Sequence, residues 1–235
     1  MELTKKQGFL AAFLAFLVGG TAYQSTRRTE VPINKPTSTP KPVTITPPTP
    51  VISFTPPASS SSRTVWPLRS FKSVHASTFL DPEYFRSRGY WHTGIDMNGP
   101  NGYDTDQGDS VYAIRDGKIV WVGVGMGDWG NMVIQEFQVN GKTYWAQYAH
   151  VQYTGKNGQA FKPTVGMQVK AGALVAFVGK GNAKPPMWAH LHLTIFHTKP
   201  PRWDFWPKKG GVPSEVTAFC TDADAFLRRL GAVMP

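Results

Sequence analysis

Two strand–turn–strand patterns constrain the fold of this chain more than any other feature. S-V-Y-A-I-R and K-I-V-W-V-G flank Asp116-Gly117, while V-I-Q-E-F-Q-V and K-T-Y-W-A-Q-Y-A-H flank Asn140-Gly141. Both dipeptides are typical of type I′ turns, which join neighbouring antiparallel strands. Two further short strands are predicted around the segment 170–172, in V-G-M-Q-V-K-A-G-A-L-V-A-F-V-G. The sequence therefore predicts an all-β core of antiparallel strands.

A further strand pattern, W-A-H-L-H-L-T-I-F at residues 188–196, carries two histidines. Strand alternation sends Ala189, Leu191, Leu193 and Ile195 to one face, and His190, His192, Thr194 and Phe196 to the other. The apolar face predicts core packing, and the two imidazoles share the opposite surface. Two histidines on a polar sheet face do not by themselves indicate a site, so their interpretation depends on partners elsewhere in the chain.

Three residues supply those partners. His92 and Asp96 stand four apart in W-H-T-G-I-D, and His150 ends the second hairpin pattern, where Tyr144, Ala146 and Tyr148 are predicted to share its face. Two neutral imidazoles and one carboxylate suit zinc, with a fourth position left open as in catalytic sites. The single cysteine, Cys220, cannot form a thiolate cage or an intramolecular disulfide and is expected to be a buried apolar residue.

The segments W-H-T-G-I-D, Y-A-H and A-H-L-H-L, in that order, resemble the lysostaphin-type (LytM-domain) zinc endopeptidases, which cut the peptide part of bacterial peptidoglycan. The resemblance extends over about residues 91–196. It implies an antiparallel β-sandwich or open-barrel-like domain of the LytM type, with a groove that carries the zinc site. It also implies that peptidoglycan peptides are the substrate.

The resemblance assigns the five candidate site residues. It implies that His92, Asp96 and His192 bind one Zn²⁺ per domain, and that His150 and His190 are the catalytic histidines that do not bind the metal. Both imidazoles are expected to titrate near neutral pH, so that they can take a proton from water and donate to the oxyanion and the leaving amine. The sequence does not divide these roles between them.

A tyrosine upstream of the first ligand helps to stabilise the transition state in members of that family. Tyr84 and Tyr90 are the candidates in this chain. The sequence does not choose between them.

The N-terminal part predicts export. Residues 1–23 read as a signal peptide or membrane anchor, because Lys5 and Lys6 precede an uncharged apolar run from Phe9 to Val18. A helix over residues 8–23 would reach only about 24 Å, short of the roughly 30 Å hydrocarbon core, which favours cleavage over a retained anchor that contacts the membrane. Residues 24–64, rich in Pro, Ser and Thr, are predicted to be a disordered linker. Residues 65–235 then form the endopeptidase domain, which we expect to be monomeric and to work as a secreted or membrane-tethered protein facing the periplasm or cell wall.

The formal net charge of +10 raises the question of nucleic-acid binding. The excess is divided equally between residues 1–64 and 65–235, and no compact basic block with interleaved aromatic residues occurs. Attraction to an anionic cell wall or lipid surface explains a mild positive bias equally well. We therefore expect no nucleic-acid partner.

Other motifs receive structural interpretations. Asp104, Asp106 and Asp109 partly resemble a calcium loop, but Arg115 stands where a glutamate is needed, so a solvated loop is expected. Trp203, Phe205 and Trp206 are expected to pack on the β core rather than stack on sugars, and His75 and His197 are expected to be structural. T-D-A-D-A-F-L-R-R-L-G predicts a short C-terminal helix that starts at Thr221 or Asp222 and ends at Gly231, with Ala223, Phe226, Leu227 and Leu230 facing inward. No function is assigned to the loop 97–109.

The sequence thus favours an exported zinc metalloendopeptidase that hydrolyses stem or cross-bridge peptide bonds of peptidoglycan. The alternative is a catalytically silent LytM-like module that binds the cell wall or activates another hydrolase. All five candidate positions are filled in this chain, which favours the enzyme. The peptide bond that is cut, and a cellular or phage context, are not determined by the sequence.

Overall fold

The computed structural model describes residues 63–71 and 77–235. These residues contain nine strands, three short helices and one 3-10 turn, which are joined by loops. The strands are β1 (Ile95–Met97), β2 (Ser110–Tyr112), β3 (Gly117–Val124), β4 (Asn131–Val139), β5 (Lys142–Gln152), β6 (Gln168–Val169), β7 (Leu174–Val178), β8 (Leu191–Phe196) and β9 (Cys220–Thr221). The helices are α1 (Pro82–Arg88), α2 (Pro213–Thr217) and α3 (Ala223–Arg229), and the 3-10 turn is Gly127–Trp129.

The longest hairpin, β4–β5, forms the centre of the sheet. Asn140 and Gly141 join its strands with φ angles of 49° and 76°, which are the two positive values that a type I′ turn requires. Val139 pairs directly with Lys142 across the turn. The hairpin predicted at this dipeptide is confirmed.

All named strands belong to one unclosed antiparallel sheet. Its main path runs β1-β8-β5-β4-β3-β6, while β7 pairs with both β2 and β5, and β9 pairs with β8. Each of these pairings is antiparallel. The predicted all-β class is confirmed, including the two short strands β6 and β7.

The hairpin predicted at Asp116-Gly117 is wrong. Strand β2 pairs with β7 and strand β3 with β4 and β6, and neither residue of the dipeptide has a positive φ. Tertiary partners take the polar groups that a hairpin would use, since the Ile114 N–H donates to the Tyr148 hydroxyl at 2.9 Å. The Asp116 carboxylate instead accepts from the Ala171 N–H at 2.9 Å and from Lys170 Nζ at 2.8 Å. Asp116 therefore stabilises the turn between β6 and β7.

The apolar face of β8 lies in the main core, as the alternation predicted. Ala189, Leu191, Leu193 and Ile195 are fully buried among residues of β1, β4, β5 and β7. Full burial of a leucine or isoleucine side chain stabilises a fold by about 1.5–3 kcal/mol. Residues 190–196 are consequently held in one register, which fixes the opposite face as well.

The C-terminal helix α3 is also confirmed. Asp222 caps it by accepting from the Ala225 N–H at 3.1 Å, and Gly231, just beyond its end, has a φ of 65°. Ala223, Phe226 and Leu227 are buried against the core. Helices α1 and α2 were not predicted, although Asp81-Pro82 before α1 combines an N-cap residue with a proline at the first helical position.

The structure confirms some of the smaller structural predictions and contradicts one of them. Cys220 is buried beside Phe196 and Val216, as expected. Trp203 and Phe205 pack in the same cluster. The expectation of a solvated aspartate loop is wrong for Asp106, which is buried and accepts from the Gly99 N–H at 2.9 Å.

Several predictions concern the N-terminal part of the chain. The signal peptide or anchor of residues 1–23, nearly all of the linker 24–64 and His75 lie outside the described residues. Among the helices that the structure describes, none is both long and apolar enough to cross a membrane.

Candidate metal centre

Strands β1 and β8 bring the first three candidate residues together. Asp96 in β1 pairs directly with His192 in β8, and His92 lies just before β1. Gly94 allows the close approach, because a Cβ atom at this position would lie 2.2 Å from the Leu193 carbonyl oxygen. All three side chains are buried, with exposures of 1% for His92, 8% for Asp96 and 1% for His192.

Three atoms of these side chains form a small triangle. His92 Nε2 lies 3.1 Å from His192 Nδ1 and 3.2 Å from Asp96 Oδ1, and His192 Nδ1 lies 2.9 Å from Asp96 Oδ1. In a tetrahedral zinc site with bonds of about 2.0–2.1 Å, neighbouring ligand atoms lie about 3.3 Å apart. The triangle therefore has nearly the size of one face of a zinc tetrahedron, and these three residues are able to hold a metal ion together.

The outer nitrogens of both rings are held by hydrogen bonds. His92 Nδ1 donates to the Thr78 carbonyl oxygen at 2.9 Å, and His192 Nε2 donates to Thr194 Oγ1 at 2.8 Å. These bonds leave the lone pairs of His92 Nε2 and His192 Nδ1 directed at the centre of the triangle. Such outer partners fix the tautomer and orientation of metal-binding histidines.

The electrostatics of the triangle favour the protonation states that a cation needs. Burial opposes ionisation of Asp96, but His92 and His190 beside it hold its pKa well below the usual 3.8. Burial lowers the pKa of His192 to about 4, despite its hydrogen bond to Asp96. Burial also acts against charge on His92, although the Asp96 carboxylate outweighs it and raises the His92 pKa. At neutral pH an ionised carboxylate thus faces a neutral His192.

His150 reaches the same site through a β-bulge. Asn131 pairs with Val151 and Val133 with Tyr148, so that Ala149 and His150 together oppose the single residue Met132 of β4. His150 takes a φ of 59°, in the left-handed region. Its ring consequently lies 4.7 Å from that of His190 and 5.8 Å from that of His192, measured between centroids.

This bulge corrects the predicted faces of β5. Ala146 and Tyr148 lie in the main core, whereas His150 lies on the opposite side of the sheet with Ala149 and Trp129. The expected titration of His150 near neutral pH is also wrong. Burial, with the charges of His190 and His192, lowers its pKa well below 6.5. His150 is therefore neutral, and Nδ1 donates to the Trp129 carbonyl oxygen at 3.2 Å.

His190 lies at the entrance of the site, immediately before β8. Nδ1 donates to the Trp188 carbonyl oxygen at 2.7 Å, which leaves Nε2 facing inward, 3.7 Å from Asp96 Oδ1. Its side chain is 13% exposed, against 2% for that of His192. The two histidines of the pair share a face, as predicted, but His190 keeps access to solvent.

The family comparison agrees with this constellation. Residues 90–202 match peptidase family M23. The match covers just under half of the chain. The matched residues include all five candidate site positions, from His92 to His192.

Solved structures similar to this domain include two of lysostaphin. A solution structure of lysostaphin is 20% identical at a TM-score of 0.49, and the match covers 74% of this chain and 59% of the lysostaphin chain. The catalytic domain of the antimicrobial peptidase lysostaphin from Staphylococcus simulans is 21% identical at a TM-score of 0.43, covering 67% and 92%. A zinc-containing peptidase from Vibrio cholerae is 24% identical at a TM-score of 0.39, covering 57% and 37%. The comparison with curated proteins gives no match.

Aromatic side chains that sequence reasoning did not assign to the site surround the candidate histidines. Trp129 lies 5.0 Å from the His192 ring at an angle of 81°, and its carbonyl orients His150. Trp206 lies 6.2 Å from His92 and from His192, so it packs at the site rather than on the main core. No spacing in the sequence links these tryptophans to the histidines, because the contacts are formed between distant segments.

The two candidate tyrosines differ in their contacts. The Tyr84 ring, in α1, lies 4.8 Å from that of His92. Burial and the charge of Asp96 raise the pKa of Tyr84 to about 12, so its hydroxyl stays protonated at neutral pH. Tyr90 instead contacts Trp206, at 6.2 Å between ring centroids. Tyr84 is therefore the tyrosine in contact with a candidate ligand.

The remaining polar candidates lie in other interactions. His197 contacts Thr198 Oγ1 at 3.0 Å and the Thr217 carbonyl oxygen at 3.1 Å, consistent with a structural role. Asp104 accepts from Lys180 Nζ at 2.5 Å, and Asp109 from Lys156 Nζ at 2.5 Å. Because Asp104 and Asp109 each form an ion pair with a lysine, the aspartates of this loop do not form a calcium cage.

Proposed function

We propose that this protein is a zinc-dependent endopeptidase that hydrolyses peptide bonds in bacterial peptidoglycan. The observation that carries the proposal is the triangle of His92 Nε2, Asp96 Oδ1 and His192 Nδ1, with sides of 2.9–3.2 Å. The match of residues 90–202 to peptidase family M23 supports the same proposal.

The donor set fits Zn²⁺. Two imidazoles and one carboxylate occupy three positions and leave the fourth open, as in catalytic rather than structural zinc sites. The ionised Asp96 and the neutral His192 are in the forms that bind a metal. When bound, Zn²⁺ supplies Lewis acidity that polarises a peptide carbonyl and makes water more acidic.

His150 and His190 are proposed to assist the attacking water by accepting its proton or a hydrogen bond from it. Each donates Nδ1–H to a backbone carbonyl, so the Nε2 lone pair of each ring is left to accept a proton or a hydrogen bond. His190 is the more accessible ring and is better situated to take a proton and return it to the leaving amine. His150, kept neutral by burial, accepts a hydrogen bond and orients the water.

Tyr84 is proposed to assist at the oxyanion. Its ring packs against His92, and its hydroxyl remains a hydrogen-bond donor at neutral pH because its pKa is raised to about 12. A donor held beside the reacting carbonyl stabilises negative charge that develops there.

The proposed setting is outside the cytoplasm. A basic and then apolar N-terminus at residues 1–23 supports export by a signal peptide or anchor, and the Pro/Ser/Thr-rich segment 24–64 supports a spacer. Because half of the net charge of +10 lies in residues 65–235, the exported domain would be attracted to an anionic wall. The proposed partner is therefore peptidoglycan, with a monomeric domain acting on it.

The test is a digestion of purified sacculi that differ in bridge chemistry. The 235-residue protein, reconstituted with zinc, is expected to release peptides that mass spectrometry assigns to one type of bond, and a chelator is expected to stop the release until zinc is restored. His197→Ala is a matched control, because this histidine lies outside the site. Zinc-loaded protein that binds sacculi and cuts none of them would instead support a silent module that binds the wall or activates another hydrolase.

A further inference from the structure

Two large aromatic side chains form an exposed pair near the site. The rings of Tyr103 and Trp188 lie 5.1 Å apart between centroids, at an angle of 83°. Tyr103 is 66% exposed and Trp188 is 60% exposed, although the other aromatic residues around the site are partly or fully buried. Paired aromatic rings left in solvent are typical of surfaces that bind a ligand or partner. We call this pair the aromatic rim.

The aromatic rim is connected directly to His190. The Trp188 carbonyl oxygen accepts the Nδ1–H of His190 at 2.7 Å and so sets the direction in which Nε2 points. Trp188 and His190 are two positions apart in the sequence, which corresponds to about 6.6 Å along an extended chain. A ligand on Trp188 would therefore lie close to the proposed reaction centre.

Hydrogen bonds hold the loop that carries Tyr103 beside Trp188 and His190. Asp104 Oδ1 accepts from the Ala189 N–H at 2.9 Å, and Asp104 Oδ2 accepts from Lys180 Nζ at 2.5 Å. The loop 97–109, to which the sequence assigned no function, is thus held to the residue that lies between Trp188 and His190. Both rings are positioned before any ligand arrives, which reduces the entropy lost on binding.

We propose that Tyr103 and Trp188 form a substrate subsite that binds the peptide of peptidoglycan about two residues from the scissile bond. This inference rests on the proposed function and adds a specificity determinant to it. Extended peptide advances about 3.3–3.6 Å per residue, so the 6.6 Å step from His190 to Trp188 corresponds to about two substrate residues. At that distance the aliphatic side chains and backbone of the peptide contact the rings, and the sugars of the glycan strand lie further away.

The test compares rim variants on peptides that carry no glycan. Cross-linked stem peptides are prepared from a sacculus that the wild-type protein cleaves, by removing the glycan enzymatically. Trp188→Ala and Tyr103→Ala are expected to raise KM about tenfold each, with kcat within about twofold of wild type, because the rings contribute binding rather than chemistry. Zinc content is expected to stay at the wild-type level.

Two further variants sharpen the test. Met126→Ala removes an exposed apolar side chain of similar accessibility that lies outside the rim, and is expected to leave KM unchanged. Asp104→Asn keeps both rings but removes the ion pair with Lys180, and is expected to raise KM by a smaller factor than Trp188→Ala because the loop is held less firmly.

The outcomes separate this inference from the proposed function. If the wild-type protein cleaves no sacculus, the proposed function fails and the subsite fails with it. If the wild type cleaves the stem peptides and Trp188→Ala leaves KM unchanged, the subsite alone is overturned. A KM effect on intact sacculi that is absent on glycan-free peptides would mean that the rim contacts sugar, which also overturns the peptide assignment.

Discussion

The floor of the site, His92, Asp96 and His192, differs from its entrance at His190 in how its rings are fixed. His192 is almost fully buried and turns Nδ1 inward, with Nε2 held by the Thr194 side chain. His190, two residues earlier, turns Nε2 inward, with Nδ1 held by a backbone carbonyl beside the solvent-exposed Trp188. Two histidines on one face of one strand segment therefore present different nitrogens to the same centre.

The difference indicates that His192 and His190 have different roles. A metal ligand benefits from a deep position and a fixed tautomer, which the buried hydroxyl of Thr194 provides. A residue that exchanges protons needs access to water and substrate, which the position of His190 at the entrance provides. The following predictions test this difference in roles, from the largest expected effect to the smallest.

Removing a ligand from the floor is expected to have the largest effect. Asp96→Ala and His192→Ala should each lose zinc, with a decrease in affinity beyond the roughly 100-fold that follows loss of an outer hydrogen-bond partner. Cleavage of sacculi should disappear in parallel. Zinc content after dialysis against a metal buffer measures the effect, and His197→Ala should bind zinc like the wild type. Full zinc retention by Asp96→Ala would contradict the assignment of the floor.

Removing either histidine that is not a proposed metal ligand is expected to leave the metal in place. His190→Ala and His150→Ala should each lower kcat by about 10²–10⁴-fold, because proton transfer by a positioned side chain contributes that much. Zinc content should equal that of the wild type. Measured together, kcat and zinc content distinguish the two classes of histidine. Comparable zinc loss in His190→Ala and His192→Ala would remove the distinction between entrance and floor.

Removing the hydroxyl behind His192 is expected to have an intermediate effect. Thr194→Val keeps the shape of the side chain but leaves His192 Nε2 without its 2.8 Å partner. Zinc affinity should fall about 10–100-fold. Thr93 Oγ1, 3.4 Å from the same nitrogen, offers a weaker acceptor and favours the lower end of this range. Thr194→Ser should retain the wild-type affinity in a zinc competition assay, and equal affinities for Thr194→Val and wild type would exclude this role of the hydroxyl.

The face of β8 was predictable because it depends on a simple alternation. Leu191 and Leu193 are apolar and buried, so His190, His192 and Thr194 must share the other face. The same pattern contained the signal for the role of Thr194, which follows His192 by two residues. This part of the site follows from local sequence.

His150 and Asp116 show where such reasoning failed. A bulge opposite Met132 reversed the face of His150, and its left-handed conformation is stabilised by contacts of the folded site rather than by a glycine or turn signal. The Asp116-Gly117 hairpin was lost because Tyr148, distant in sequence, bonds the backbone of Ile114. Trp206 likewise reaches the site from a loop after β8. These features depend on tertiary contacts that no sequence period encodes.

The smallest expected effect is a pH dependence of the metal-free protein. The folded-state pKa values of His192, about 4, and of His150 lie below the unfolded value of 6.5, so the unfolded chain binds more protons between pH 4 and 6.5. Stability should therefore be full above pH 6.5 and fall on acidification, by about 1.4 kcal/mol per pH unit for each such group at most. The pKa of His92 is raised, so its protonation stabilises the folded state as the pH falls. Near neutral pH this offsets the loss of stability from one of the other two histidines. We expect a net loss of about 1–2 kcal/mol between pH 7 and 5.5 in urea unfolding after chelation. His150→Gln should show a smaller loss than the wild type, since the other groups cancel in the comparison, and identical pH profiles would mean that the burial of His150 does not affect its protonation.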